Sequence, residues 1–148
     1  MTVDSRDQTP YTRKRPDGPT AEGRFLGRTS APGIDVLAGE ARSPVYDAIH
    51  QRRITFVDGR YWVIEDRLQG EIEHEYDLRF HLAPGDAAID GETVRADGLT
   101  LVIAGAGQIR LEPGWIAPEY GRRIEAPVVS ARQWGRDAMF TTIVVPEP

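Results

Sequence analysis

The chain has 148 residues, a length that suits a single domain with its own core. Its net charge of −5 argues against a general nucleic-acid binder and against electrostatic capture by an anionic membrane surface, so we expect neither partner. The lack of cysteine excludes disulfides, thiolate metal sites and cysteine nucleophiles. No apolar run is long enough for a transmembrane helix, and residues 1–19 show no signal peptide.

Turn residues are spread along the whole chain, and no long segment shows the apolar periodicity of a helix. The regular recurrence of turn residues predicts an all-β fold, an antiparallel β-sandwich of about nine or more short strands, with residues 1–148 as one domain. The first 22 residues are polar and, taken alone, suggest a disordered tail, with residues 10–22 as a loop. The first clear strand is predicted over Ile34–Ala41.

Residues 50–68 predict a β-hairpin around Asp58-Gly59, because this dipeptide favours a turn with positive φ at both central residues. A two-residue loop places Arg52 opposite Glu65, whereas a three-residue loop would change every pair. The pairs expected for the two-residue loop are Phe56–Tyr61, Ile54–Val63, Arg52–Glu65, Thr55–Trp62, Arg53–Ile64 and Gln51–Asp66.

The next strand, residues 74–82, alternates between apolar and charged positions. His74 falls on the face of Tyr76 and is expected to be buried, whereas His81 falls on the charged face with Asp77 and is expected to be solvated. Further strands are predicted at residues 92–96, 99–104, 108–111, 124–133 and 139–145. After Pro113-Gly114-Trp115 a loop is predicted to run through Pro118 to Gly121.

No motif for catalysis or metal binding is present. The chain has no Gly-x-Ser-x-Gly elbow and no phosphate-binding glycine loop. His74 and His81 face opposite sides of one strand, so they cannot share an ion. We therefore predict no catalytic residue, no metal ligand and no cofactor in this chain.

Two sets of polar and aromatic residues remain as candidates. Buried polar groups need partners, so five residues near strand ends are expected to satisfy one another as a structural network: His50, Arg52, Glu65, Asp66 and His74. Three aromatic residues are candidate substrate contacts: Trp115, Tyr120 and Trp134. An exposed aromatic platform of this kind would favour the alternative function, a stand-alone carbohydrate-binding sandwich.

These residues carry a resemblance to a known family. The segments His50-x-Arg52-x-Ile54-x-Phe56, Tyr61-Trp62-Val63-Ile64-x-Asp66 and Phe80-His81-Leu82-x-Pro84-Gly85 resemble, in order and spacing, the C-terminal β-domain of heparinase II/III-like polysaccharide lyases. Ala117–Gly121 and Thr141–Pro146 are similar to the last two family segments. Thr2–Thr9 resembles a further family stretch, which implies that the first residues are ordered structure.

The resemblance implies an α/α toroid preceding a large antiparallel β-sandwich, and β-elimination of acidic polysaccharides such as glycosaminoglycans or alginate. In the family, the catalytic tyrosine, histidine and asparagine or arginine lie mostly in the toroid. The zinc ligands of some members lie in a His-x-His stretch upstream of this region. None of these residues has a counterpart in this chain. We therefore expect a truncated part of a bacterial lyase, inactive alone, whose full-length form is periplasmic or bound to the cell envelope.

Overall fold

The computed structural model describes residues 1–12, 15–16 and 18–147, and every regular element among them is a β-strand. None of the described residues forms a helix that could cross a membrane. The strands are β1 (Thr2–Val3), β2 (Tyr11–Thr12), β3 (Arg15–Pro16), β4 (Glu22–Ala31), β5 (Ile34–Arg42), β6 (Ile49–Val57), β7 (Tyr61–His81), β8 (Ala87–Asp90), β9 (Thr93–Ala96), β10 (Leu99–Ala104), β11 (Gln108–Glu119) and β12 (Arg122–Pro146).

Two long strands organise the sheet. Ten strands form one hydrogen-bonded sheet in the order β4-β5-β6-β7-β12-β10-β9-β8, with β1 paired to β7 and β11 paired to β12. β7 has 21 residues and β12 has 25, and the two pair with one another on both sides of a register shift between Gly135 and Asp137. One half of this pair is flanked by β6 and β10, and the other half by β1 and β11.

The two halves contribute to one hydrophobic core. Val3, Leu78 and Val129 come from the half with β1 and β11, and they join the same cluster as Leu101 and Phe140 from the half with β10. This arrangement is an all-β fold of the sandwich type, as predicted. The expectation that all strands are short is wrong, because β7 and β12 each continue through both halves.

Continuous strands replace several predicted breaks. Most of the loop predicted after Pro113-Gly114-Trp115 is part of β11, in which Pro113 lies opposite Pro127 and Ile116 opposite Ile124. Among the described strands β11 pairs with β12 alone and so lies at an edge of the sheet. An edge strand tolerates proline where the missing N–H would face no neighbouring strand.

The hairpin turn forms where the sequence places it, but the predicted register is wrong by one residue. Asp58 and Gly59 have φ values of 49° and 67°, and the amide of Arg60 donates to the carbonyl of Val57 at 2.9 Å, as in a two-residue turn. The ladder nevertheless resumes with Val57 opposite Tyr61, so Arg60 is an extra residue on the second strand. Every subsequent pair is shifted accordingly.

The N-terminal segment is ordered and is not a tail. β1 pairs with β7 through Thr2–Asp77 and Val3–Tyr76, and Val3 is buried in the core. The resemblance therefore gave the correct expectation for these residues, whereas composition did not. Residues 10–22, predicted as a loop, include the small β2–β3 pair. Arg13, Lys14 and Asp17 of that loop lie outside the described residues.

β4, β5 and β6 form an extension of the sheet that we call the wing. None of their described side chains is buried, although the wing includes apolar residues such as Phe25, Leu37, Ile54 and Phe56. Phe25 and Leu37 are 69% and 43% exposed. The wing therefore depends on its hydrogen bonds to β7 and on partial packing, and not on a core of its own.

Candidate functional site

The first polar cluster lies on β6 and β7 and centres on Asp66. The true register places Arg52 opposite Asp66, and His50 lies one pair further along on the same face. Arg52 donates from Nε to Oδ1 of Asp66 at 2.6 Å and from Nη2 to Oδ2 at 3.0 Å. Nε2 of His50 lies 2.5 Å from Oδ1 of the same carboxylate. Asp66 itself is fully buried.

The electrostatics of this cluster keep Asp66 ionised. Burial acts to raise the pKa of Asp66, but the hydrogen bonds from His50 and Arg52, together with their charges, outweigh it and lower the pKa below its usual value. A carboxylate in this state accepts protons poorly at neutral pH. The cluster therefore suits a structural ion pair better than a general base.

The predicted pairing of Arg52 with Glu65 is wrong. Glu65 lies opposite Arg53 on the other face of the hairpin, where Nε of Arg53 donates to Oε2 of Glu65 at 2.5 Å. Both side chains reach solvent, with 56% and 32% exposure. The shift by one residue exchanges the two acidic partners because alternate residues of a strand face opposite sides.

His74 belongs to a second cluster with partners that the sequence did not suggest. Its ring is 3% exposed, as expected for the apolar face of the strand. Nδ1 lies 2.7 Å from Oδ2 of Asp4, and Nε2 lies 2.5 Å from Oδ1 of Asp47. The single network predicted for five residues is therefore wrong, because the structure joins only His50, Arg52 and Asp66.

The charges around His74 favour its protonated form. Burial acts to lower the pKa of His74, but the hydrogen bonds and charges of Asp4 and Asp47 outweigh it and raise the pKa above its usual value. Tyr76 packs edge-on to the imidazole, with ring centroids 5.7 Å apart, and its hydroxyl donates to the carbonyl of Arg136 at 2.8 Å. The expected burial of Tyr76 is confirmed, and that burial raises its pKa to about 12.

A third cluster lies on the face of β7 that was predicted to be solvated. Asp77 is only 4% exposed, so its expected exposure is wrong, whereas His81 is exposed as predicted. Asp77 accepts from Arg79 at 2.8 Å and from the hydroxyl of Ser130 at 2.7 Å. Arg79 also donates to Glu112 at 2.8 Å. Long arginine side chains can cover a carboxylate while their charged ends remain near water, which explains this burial.

The three candidate aromatic contacts are exposed but do not form one platform. Trp115, Tyr120 and Trp134 are 48%, 104% and 64% exposed. The guanidinium of Arg123 lies 4.5 Å from the centre of the Trp115 ring, so one face of that ring already has a partner. Trp115 lies opposite Glu125, and at about 3.3 Å per residue Trp134 is roughly 30 Å further along β12.

Comparison with known proteins identifies the family of the chain. The family model described as "Heparinase II/III-like, C-terminal" matches residues 1–145. The chain belongs to this family. The heparinase-like domain is also similar to the solved structure "Heparinase III-BT4657 gene product", with 23% identity and a TM-score of 0.76, over 85% of this chain and 22% of that chain. Its similarity to heparan sulfate lyase HepC from Pedobacter heparinus has 22% identity and a TM-score of 0.72, over 84% of this chain and 22% of that one.

The heparinase-like domain therefore spans about one-fifth of the length of the solved structures that it matches. At this level of identity the likeness concerns the fold. No curated protein sequence matches the chain. The family resemblance found in the sequence is confirmed, including its assignment to the C-terminal domain.

The described part of the heparinase-like domain contains no group of three or more acidic, histidine or cysteine side chains that could hold a metal ion. The His74 cluster illustrates the reason. Its two carboxylates bind opposite nitrogens of one ring, so their oxygens do not converge on a common point. The zinc associated with some family members does not fit these described residues.

Proposed function

We propose that the heparinase-like domain serves as the C-terminal β-domain of a longer polysaccharide lyase and is inactive alone. In that longer protein the substrate is an acidic, uronate-containing polysaccharide, which is cleaved by β-elimination. The observation that carries the proposal is the match of residues 1–145 to the C-terminal family model, together with the small share of each solved lyase that the chain covers. A domain of this kind supports and orients a catalytic part located elsewhere in the enzyme.

The chemistry of His50 and His74 supports this view. β-Elimination needs a group that removes the proton α to the uronate carboxyl, and that group needs access to the substrate. His74 is buried, and both of its ring nitrogens are engaged by carboxylates. His50 is engaged by Asp66, a carboxylate that is also paired with Arg52. Both histidines are therefore occupied by ion pairs within the domain and are not available to a substrate.

A direct test is to assay the purified chain with heparan sulfate, heparin, hyaluronan and alginate by the absorbance of the unsaturated uronate product. We expect no turnover, with a HepC-type lyase as the positive control. Turnover that is lost in His50→Ala or His74→Ala, while His81→Ala retains it, would show that the chain is itself an enzyme.

The exposure of Trp115, Tyr120 and Trp134 favours a second candidate, a carbohydrate-binding module. Titration calorimetry with the same polysaccharides distinguishes the two functions. Saturable binding by the isolated chain, abolished by Trp115→Ala or Trp134→Ala, would support the module. Absence of binding would favour the first candidate, a structural domain of a longer lyase.

A further inference from the structure

We propose that His74, held between Asp4 and Asp47, is a pH-sensitive clasp that fastens two segments onto the bend of β7 and releases them as the pH rises. The two segments are the N-terminal residues 1–9 and the connection of residues 43–48 between β5 and β6. The proposal concerns a conformational device and is independent of the lyase function.

The geometry of the clasp is symmetrical. Asp4 binds Nδ1 of His74 with one carboxylate oxygen, and its other oxygen accepts from the amide of Glu75 at 2.9 Å. Asp47 binds Nε2 with one oxygen, and its other oxygen accepts from the amide of Glu71 at 2.6 Å. Each aspartate thus grips both the ring and the backbone of the same stretch of β7.

This geometry requires a protonated ring. An ionised carboxylate can only accept hydrogen bonds, and a neutral imidazole has only one N–H to donate. Both contacts are therefore satisfied at once only in the imidazolium form. Loss of the proton leaves one ring nitrogen, an acceptor, facing a carboxylate oxygen at hydrogen-bond distance. This contact is repulsive and breaks one side of the clasp.

The clasp lies where the strand pair changes register. His74 is opposite Gly135, and the ladder resumes only with Gln69 opposite Asp137, so residues 70–73 bulge from β7. The carbonyl of Gly70 accepts from Nε of Arg136 at 3.2 Å, which bridges the bulge from β12. Arg136 thus holds the bulge from β12, whereas Asp4 and Asp47 hold it from the two clasped segments.

The clasped segments are linked to each other, and the N-terminal one has a strained turn. Asp4 and Ser5 have φ values of 51° and 60°, a region that non-glycine residues rarely adopt. Arg6 donates to the carbonyl of Val45 at 3.2 Å, and Ser43 donates to the carbonyl of Gln8 at 2.8 Å. Opening at one aspartate therefore loosens both segments together, and relief of the strained turn favours the open state.

Of the described groups that face the His74 ring, none besides His74 itself titrates in the neutral to alkaline range. The N-terminal amine of Met1 lies on the same segment and has a pKa lowered chiefly by burial, so the His74→Gln variant serves to separate its titration from that of the ring. From the N-terminal turn, Asp4 faces the ring directly and Arg6 acts on Asp4. From the 43–48 connection, Asp47 faces the ring. Tyr76 lies at the ring edge with Asp137 acting on it, and its pKa of about 12 keeps it neutral. The pKa values of Asp4 and Asp47 are lowered, chiefly by hydrogen bonds that outweigh burial, so both stay ionised at neutral pH.

The clasp stabilises the folded chain most strongly when His74 is protonated and both aspartates are ionised. The pKa of His74 is raised in the folded chain. Its contribution to the free energy of unfolding is therefore complete below the ordinary histidine pKa of about 6.5 and is lost as pH rises through the pKa of the folded state. The contributions of Asp4 and Asp47 to stability depend on pH in the acidic range. They are present above the ordinary aspartate value and are lost as pH falls through the lowered values.

The experiment is an NMR titration of the whole chain between about pH 5 and 10, following the His74 ring and the backbone amides of residues 1–9 and 43–48. We expect these amides to lose their native shifts and become mobile with the same midpoint as the ring, above about 6.5. In His81→Gln the transition should be unchanged. In His74→Gln the two segments should be mobile throughout with no transition in this range.

Asp47→Asn provides a second variant in case His74→Gln does not fold. It removes one of the two charges that hold the proton, so the midpoint should fall. Native amide shifts that persist through the titration of the ring would overturn the proposal. The same transition in His74→Gln, an unchanged midpoint in Asp47→Asn, or a ring that does not titrate up to about pH 10 would overturn it as well.

Discussion

The buried carboxylate of Asp66 allows a sharp test of the polar cluster around it, because the preceding residue, Glu65, is a natural control. Asp66→Asn retains the shape of the side chain but removes the charge that pairs with Arg52 and His50. Glu65→Gln makes the same chemical change on the opposite, solvent-facing side of the strand. The two variants therefore differ mainly in the environment of the lost charge.

The expected magnitudes differ several-fold. Removal of one partner of a fully buried ion pair costs about 3–5 kcal/mol, but the Arg52 side chain is 36% exposed and regains some solvation, so we expect a loss of about 2–4 kcal/mol for Asp66→Asn. An exposed pair contributes about 0.2–1 kcal/mol, which bounds the loss for Glu65→Gln. With a urea m-value of about 2 kcal/mol/M, the midpoint should fall by about 1–2 M in the first variant and by less than about 0.5 M in the second.

The pH dependence gives a second, independent readout of the same pair. Because the folded pKa of Asp66 is lowered, the stability that it contributes is present above the ordinary aspartate value of about 3.9 and is lost as pH falls through the folded value. The difference between Asp66→Asn and the parent chain should therefore shrink in acid. A loss in Glu65→Gln as large as that in Asp66→Asn would refute the assignment of these residues to inner and outer faces.

The remaining predictions concern the second histidine cluster, a close glycine contact and the wing. In urea, His74→Ala should cost about 1–3 kcal/mol and His81→Ala less than about 0.5 kcal/mol, and the reverse order would contradict the burial of His74. A Cβ on Gly70 would lie 2.9 Å from the His74 ring, whereas a Cβ on Gly23 would meet nothing within 4 Å. Gly70→Ala should therefore cost about 1–3 kcal/mol more stability than Gly23→Ala, and equal losses would refute this contact. Amide hydrogen exchange should be faster in the wing than in β7 and β12, since no described side chain of the wing is buried, and equal protection would contradict this.

The sequence predicted the hairpin but not the partners across it. Asp58-Gly59 fixed the place of the turn through its need for positive φ, and both residues adopt it. The register depends in addition on Arg60, which either pairs or bulges, and no local property of an arginine decides between these. That one residue exchanged Glu65 for Asp66 as the partner of Arg52, so a correct turn gave a wrong ion pair.

The partners of His74 could not be predicted because they are remote in sequence. Strand alternation was sufficient to predict its burial, since that depends on neighbours two residues away. Its two carboxylates lie 70 and 27 residues from it along the chain, in a turn and a connection with no regular pattern. Only the resemblance of the first residues to a family segment indicated that Asp4 is part of the folded domain.

The error at Asp77 has a different cause, and it explains how this chain holds its polar groups. A row of charges on one strand face suggested solvation, but Arg79 and Arg132 extend over Asp77 and share Glu112 as a second acceptor. Asp66 is likewise met by a bidentate arginine. Guanidinium groups suit this arrangement, since they present several donors in a fixed plane and keep their charge. In an arginine-rich sheet, an acidic residue beside arginines at cross-strand positions is therefore a candidate for burial, whichever face the alternation assigns to it.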